Sequence, residues 1–222
     1  MTPPPQTPAG NAELIERRME PTAELDPLQI FSAWYTLARS GGDRADAAAL
    51  ATYGESGPAV RMVLVKSCVH GQFRIFTNYQ SRKARELEAT GRAALVFHWP
   101  SVEAQVRIQG SVERLSAEAS DDYFASRPRG SQLSALISPQ SEHIQSLAAL
   151  EAEREEQLAA LGNQPIARPD HGGGYGPPPA LIDFWGGGEN RPRSGPGGAA
   201  PLPAPAISAG FVGRAFSRRF FA

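Results

Sequence analysis

Between Arg61 and Ser141 the chain places two groups of cationic and hydroxyl residues among β-forming runs, and each has the makings of an anion site. The first is Arg61-Met-Val-Leu-Val-Lys66 followed by Thr77-Asn-Tyr-Gln-Ser-Arg-Lys83. Ser81-Arg82-Lys83 starts a helix directly after a strand and a turn, so backbone N–H groups, the helix dipole and two cationic side chains can converge on one anion. The second is Tyr123-Phe-Ala-Ser-Arg-Pro-Arg-Gly-Ser131. Tyr123 and Arg127 share a helix face, Pro128 ends that helix and Ser131 follows in the turn, so a phenol, a guanidinium and a hydroxyl can surround one phosphate monoester. Two phosphates are the natural guests.

Each cluster also has a plainer reading. Arg82 and Lys83 can be solvated first-turn charges, although cations there are mildly unfavourable without a ligand. Arg127 and Arg129 can simply neutralise a helix C-terminus. Arg61 and Lys66, five apart on one strand, project to opposite faces, and a lysine within a Val/Leu strand needs a partner. No metal-ligand spacing occurs among His70, His98, His143, His171 and Cys68, and neither G-x-G-x-x-G nor a Walker loop is present.

The positioning elements can be read from periodicity. The 222 residues, 41% hydrophobic, suffice for one core. A balance of 22 Lys+Arg against 23 Asp+Glu gives no reason to expect nucleic acid or an anionic membrane surface. One cysteine and no long apolar run point to the cytoplasm and away from a membrane. Residues 1–25 read as a flexible lead-in with a short charged helical segment from Glu13 to Met19. Asp26-Pro27 reads as an N-cap with proline at the first helical position, opening a helix that buries Leu28, Phe31, Trp34, Tyr35 and Ala38 and stops at Gly41-Gly42. Strands are expected over Ala47 to Thr52, Val60 to Ser67, Gln72 to Thr77, Arg92 to Trp99 and Val102 to Glu113, the last with one apolar and one polar face. Helices are expected over Arg82 to Ala89, Ala117 to Ser126 and Ser146 to Leu161. The class is α+β, an antiparallel barrel with peripheral helices spanning residues 26–185.

Six motifs in one order resemble the pyridoxine/pyridoxamine 5′-phosphate oxidase family. They are Arg61-Met-Val-Leu-Val-Lys66, Thr77-Asn-Tyr-Gln-Ser-Arg-Lys83, Ala93-Ala-Leu-Val-Phe-His-Trp-Pro100, Gln105-Val-Arg-Ile-Gln-Gly110, Tyr123-Phe-Ala-Ser-Arg-Pro-Arg-Gly-Ser-Gln132 and Ser138-Pro-Gln-Ser141. The resemblance implies an FMN-binding split β-barrel of Greek-key type, forming a homodimer with the cofactor at its interface. It implies that FMN is held by Arg61, Met62, Val63, Leu64, Val65 and Lys66, by Phe76 and Thr77, by Arg82 and Lys83, and by Gln105, Gln140, Ser141 and Trp185. The substrate phosphate would meet Lys66, Tyr123, Arg127 and Ser131, with Arg191 as the catalytic contact and Arg193 beside the substrate. The implied reaction is oxidation of pyridoxamine or pyridoxine 5′-phosphate by dioxygen to pyridoxal 5′-phosphate, a hydride passing from C4′ to N5 of FMN and hydrogen peroxide leaving.

Departures from that pattern gather at the C-terminus. Phe76 stands where tyrosine is common. Arg191-Pro-Arg-Ser-Gly195 replaces Arg-Leu-His-Asp-Arg, so Arg193 stands for a histidine and Gly195 for an arginine. Residues 186–222 hold eight glycines and five prolines, and read as a disordered tail without strands. Such composition also arises when a GC-rich gene is read out of frame, which sequencing across the Arg191 codon decides. The alternative function is a flavin- or pyridoxal-phosphate-binding protein of the same fold with weak or no oxidase activity, or a flavin oxidase with another substrate.

Overall fold

The computed structural model describes residues 26–69, 71–137, 146–162, 164–176, 179–186, 208–212 and 215–221. Glu13 to Met19, Gln140, Ser141, Arg191 and Arg193 lie outside them.

The first helix, α1 (Pro27–Ser40), starts where the sequence places it: the Asp26 side chain accepts from Leu28 N–H at 3.0 Å, proline follows, and Gly41 closes the helix. Five strands and one helix follow in the chain. They are β1 (Ala47–Gly54), β2 (Gly57–Val69), β3 (Gln72–Asn78), β4 (Arg92–Trp99) and β5 (Ala104–Ser111), with α2 (Arg82–Thr90) between β3 and β4. A 3-10 turn over Pro100–Val102 starts β5 two residues later than the alternation predicts, because Glu103 adopts φ 48°, outside the strand region. Two helices, α3 (Ala117–Ser126) and α4 (Arg129–Ile137), follow, and then α5 (Leu147–Leu161). The short strands β6 (Gly172–Tyr175) and β7 (Leu181–Gly186) complete the barrel.

All pairings are antiparallel, in the order β6-β3-β2-β1-β4-β5-β7. Closure comes from the segment after β5. Arg114 bridges Tyr175, Leu115 N–H donates to Gly174 O at 2.8 Å and Gly176 N–H donates to Glu113 O at 3.2 Å. Side chains reinforce that seam: the Tyr175 hydroxyl donates to Glu88 of α2 at 2.6 Å, and Arg114 donates to the same carboxylate from Nε at 2.7 Å. Gly173 is required here, since a Cβ on it would lie 2.0 Å from the Tyr79 hydroxyl.

The sequence reading missed α4, β6 and β7, which are short and give no periodicity to count. It also expected residues 186–222 to form no strand. Instead β8 (Ser208–Val212) and β9 (Ala215–Phe221) form a hairpin, and β9 pairs with β7 from Leu181↔Phe221 to Trp185↔Ser217. Composition averaged over the tail hides the aromatic residues Phe211, Phe216, Phe220 and Phe221 near its end, which favour strands.

Aromatic packing between α1 and the sheet dominates the core. The Phe31 ring meets Phe73 at 4.8 Å and Phe97 at 5.1 Å, both edge-to-face, and Trp34 meets Phe184 at 5.3 Å. On β5 Ala104, Val106 and Ile108 are buried as the alternation requires. Trp99 is fully buried and its indole N–H donates to Ala45 O at 3.2 Å, so its polar atom is satisfied. We expect Phe97→Ala to destabilise the fold by about 3–5 kcal/mol, read as a lower urea midpoint at unchanged slope.

Candidate functional site

The end of β3 and the start of α2 build the first cluster. Asn78 shapes the connection, its side-chain oxygen accepting from Gln80 N–H at 2.7 Å and its carbonyl from Ser81 N–H at 3.1 Å. Ser81 is fully buried and caps α2, its hydroxyl accepting from Ala84 N–H at 3.4 Å. The helix N-terminus and its positive dipole end are thereby fixed at one point. Lys83 extends its amine to the Thr77 hydroxyl at 3.0 Å and the Ser81 hydroxyl at 3.3 Å. Burial, and then the nearby Arg61 charge, push that amine below its ordinary pKa.

Arg61 and Arg82 meet on a carboxylate that sequence reasoning passed over. Glu86, only 8% exposed, accepts from Arg61 Nη2 at 3.1 Å, from Arg82 Nε at 2.7 Å and from the Thr52 hydroxyl at 2.5 Å. Arg61 also donates to the Thr52 hydroxyl and, at 3.4 Å, to the carbonyls of Leu50 and Ala59. The Thr52 hydrogen bond, assisted by the two arginines, outweighs burial and holds the Glu86 carboxyl down to about 2. A glutamate at the fifth position of an amphipathic helix looks like any solvated charge, and only its i,i+4 spacing from Arg82 hinted otherwise.

The second cluster lines a cavity of about 220 Å³. Phe76 and Thr77 enter it from β3, Tyr123, Phe124 and Arg127 from the end of α3, and Arg168 and His171 from the segment before β6. The Phe76 and Tyr123 rings stack at 3.5 Å and 12°. Burial raises the Tyr123 pKa against the lowering effect of Arg127, so the phenol keeps its proton and can donate. Arg168, anchored on Asp121 at 2.6 Å and the Gly172 carbonyl at 2.5 Å, and His171, against the Ala135 carbonyl at 3.3 Å, form a wall the sequence did not reveal. They lie more than 40 residues from Tyr123 in the chain, and no local pattern joins them.

Thr77 belongs to both clusters, since it lines the cavity and receives the Lys83 amine. The remaining expected residues are dispersed. Ser131 lies within α4 rather than in a turn, and Ser134, one turn on, lines the cavity instead. Arg129 takes the structural role, donating to the Gly162 and Gln164 carbonyls at 2.6 Å beyond the end of α5. Lys66 finds its partner in Asp46 at 3.3 Å, and the β2–β3 register shifts between Val65 and Ser67. Such a bulge re-aims a side chain. Gln105 pairs across the sheet with His98 on one side and Trp185 on the other, which puts the three on one face. Among the described residues no group of three or more His, Cys, Asp or Glu could hold a metal, and no helix is long and apolar enough to cross a membrane.

A family profile described as pyridoxamine 5′-phosphate oxidase matches residues 38–158. The chain is 47% identical over 178 residues to the pyridoxine/pyridoxamine 5′-phosphate oxidase of Thermosynechococcus vestitus, covering 79% of this chain and 84% of that one. The chain belongs to the pyridoxine/pyridoxamine 5′-phosphate oxidase family. Solved structures agree on the split-barrel fold. PhzG from Burkholderia lata, in complex with tetrahydrophenazine-1-carboxylic acid, superposes with a TM-score of 0.72 at 24% identity over 89% of this chain and 93% of that one. A pyridoxamine 5′-phosphate oxidase-related, FMN-binding protein from Nostoc punctiforme gives 0.60 at 19% over 73% and 86%.

The Glu86 cluster predicts a pH signature. With its folded pKa near 2 and its ordinary value at 4.5, Glu86 contributes stability that is fully present above about pH 4.5 and lost as pH falls toward 2. Glu86→Gln is therefore expected to cost roughly 1–3 kcal/mol at pH 7. Urea denaturation should show that difference shrinking through the window from pH 4.5 to 2.

Proposed function

We propose that this chain is an FMN-dependent oxidase that converts pyridoxamine or pyridoxine 5′-phosphate to pyridoxal 5′-phosphate, with dioxygen as acceptor and hydrogen peroxide as by-product, in cytoplasmic vitamin B6 metabolism. The observation that carries the reading is the meeting of two cationic clusters at Thr77, one at a capped helix start and one in a cavity. A cofactor phosphate and a substrate phosphate are separate anions, and a protein that must hold both needs two such sites.

The residues fit the cofactor. Arg61, Arg82 and Lys83 offer charge-assisted donors beside the α2 N-terminus. FMN, when bound, supplies the redox chemistry. The chain's own residues bind and orient. Arg127 and the protonated Tyr123 phenol would hold the substrate phosphate from the cavity wall, with Lys66 and Ser131 as further contacts. Gln105 and Trp185, on one face of the barrel, would contact the flavin, as would Gln140 and Ser141. Holding the reacting carbon within about 1 Å of its productive position is worth on the order of a hundredfold in rate.

A homodimer accounts for the exposed apolar face. Tyr53, Val60 and Met62 are 63%, 70% and 65% exposed, and the register Ala49↔Met62, Ala51↔Val60 places them on one side of the β1–β2 ribbon. Contiguous exposed apolar groups on paired strands mark an interface. Light scattering should give about twice the 23.8 kDa of one chain, and Met62→Lys should shift the protein toward monomer. A wild-type protein that is monomeric at every concentration tested contradicts the dimer.

A second reading, a flavin- or pyridoxal-phosphate-binding protein with weak or no turnover, is favoured by the Arg191-Pro-Arg-Ser-Gly195 segment alone. Pro192 carries no backbone N–H, and Gly195 supplies no guanidinium. Oxygen uptake decides between the two. FMN-loaded protein given pyridoxamine 5′-phosphate should consume dioxygen and form pyridoxal 5′-phosphate, and Arg127→Ala should raise KM by at least about tenfold. FMN binding without turnover selects the second reading, and a protein that binds neither FMN nor pyridoxal 5′-phosphate removes both.

A further inference from the structure

Arg82 uses only one edge of its guanidinium inside the protein. Its Nε donates to Glu86 at 2.7 Å, and among the described residues Nη1 and Nη2 make no hydrogen bond. The side chain is 50% exposed, whereas its partner is 8% exposed. The geometry of a helix explains the choice. Side chains lean toward the N-terminus, so Glu86 reaches back over the first turn and takes the nearest Arg82 nitrogen, leaving the forked end projecting beyond. An i,i+4 pair to a half-exposed arginine contributes little to stability, so stability alone does not account for the arrangement.

The same carboxylate takes Arg61 from a different element. Arg61 on β2, Arg82 on α2 and Thr52 on β1 all converge on Glu86, and Gly54 leaves the room for it, since a Cβ there would sit 2.8 Å from Glu86 Cγ. Thr52 fixes the carboxylate while itself accepting from Arg61, so the three groups form a closed ring of hydrogen bonds. Charge points the same way: Arg61 and Arg82 share the single carboxylate of Glu86, and a phosphate monoester at neutral pH carries about −1.5 to −2.

We propose that Glu86 is a positioning residue for the cofactor phosphate: it holds Arg61 and Arg82 in the orientations from which they would bind that phosphate, and Thr52 holds Glu86. The inference rests on the FMN reading above. An unanchored arginine would lose more side-chain freedom on binding, which weakens the contact.

The test needs a variant that keeps the charge, because removing the carboxylate would also relieve its repulsion of the phosphate and blur the result. Glu86→Asp keeps the charge and shortens the reach by one methylene. Apoprotein titrated with FMN is expected to bind about tenfold more weakly than wild type. Riboflavin, the same flavin without the phosphate, is expected to bind within about twofold of wild type, a difference below 0.5 kcal/mol. Thr52→Val, which removes only the hydroxyl beneath Glu86, should shift FMN in the same direction with riboflavin again retained. If Glu86→Asp fails to fold, Thr52→Val decides by the same criterion. Equal losses for both flavins would mean a general structural role and overturn the inference, as would unchanged FMN binding. Wild-type apoprotein that binds neither flavin overturns the cofactor reading, and this inference with it.

Discussion

Glu86 places a carboxylate where only 8% of its side chain reaches solvent, and a charge so placed persists only when cations and hydroxyl groups surround it. Satisfying it recruits a residue from each of three elements: Thr52 from β1, Arg61 from β2 and Arg82 from α2. That requirement ties the first turn of α2 to the β1–β2 ribbon. The N-terminus of α2 therefore cannot drift, and the placement of Ser81 and Lys83 follows from it. The carboxyl held down near 2 is the thermodynamic trace of the same contacts.

The opposite end of α2 is fixed by a second acid. Glu88 receives the Tyr175 hydroxyl and Arg114, the pair that also bridges β6 to the chain after β5. Closing the barrel and orienting the helix are therefore one event. The aromatic cluster of α1 fills the space beneath, with Phe31 against Phe73 and Phe97. The polar network specifies direction, while apolar burial supplies the larger share of the driving force.

Between these anchors lies the cavity, and its two walls have different origins. Phe76 and Tyr123 meet ring to ring because β3 and α3 are both held to β6, one by its ladder and the other by Ser120, whose hydroxyl accepts from Gly174 N–H at 3.4 Å. Arg168 and His171 arrive on a connecting segment tied down by Asp121 and the Ala135 carbonyl. Arg129, which in sequence looks equivalent to Arg127, is instead consumed by the carbonyls of Gly162 and Gln164.

Local sequence determined the parts of this protein whose causes are local. The Asp26-Pro27 start of α1, the Ser81 and Ser116 caps, the alternation of β5 and the cationic turn at Arg82-Lys83 are set by near neighbours and were legible without coordinates. The order of the six motifs carried the family and the fold. Only tertiary structure decided which cation meets which partner. Glu86 joins residues 34 and 25 positions away, His171 reaches Ala135 across 36, and the β8–β9 hairpin pairs onto a strand more than 30 residues earlier. Contacts of that range depend on loop closure and on the burial that the whole barrel creates, and no window of adjacent residues records them.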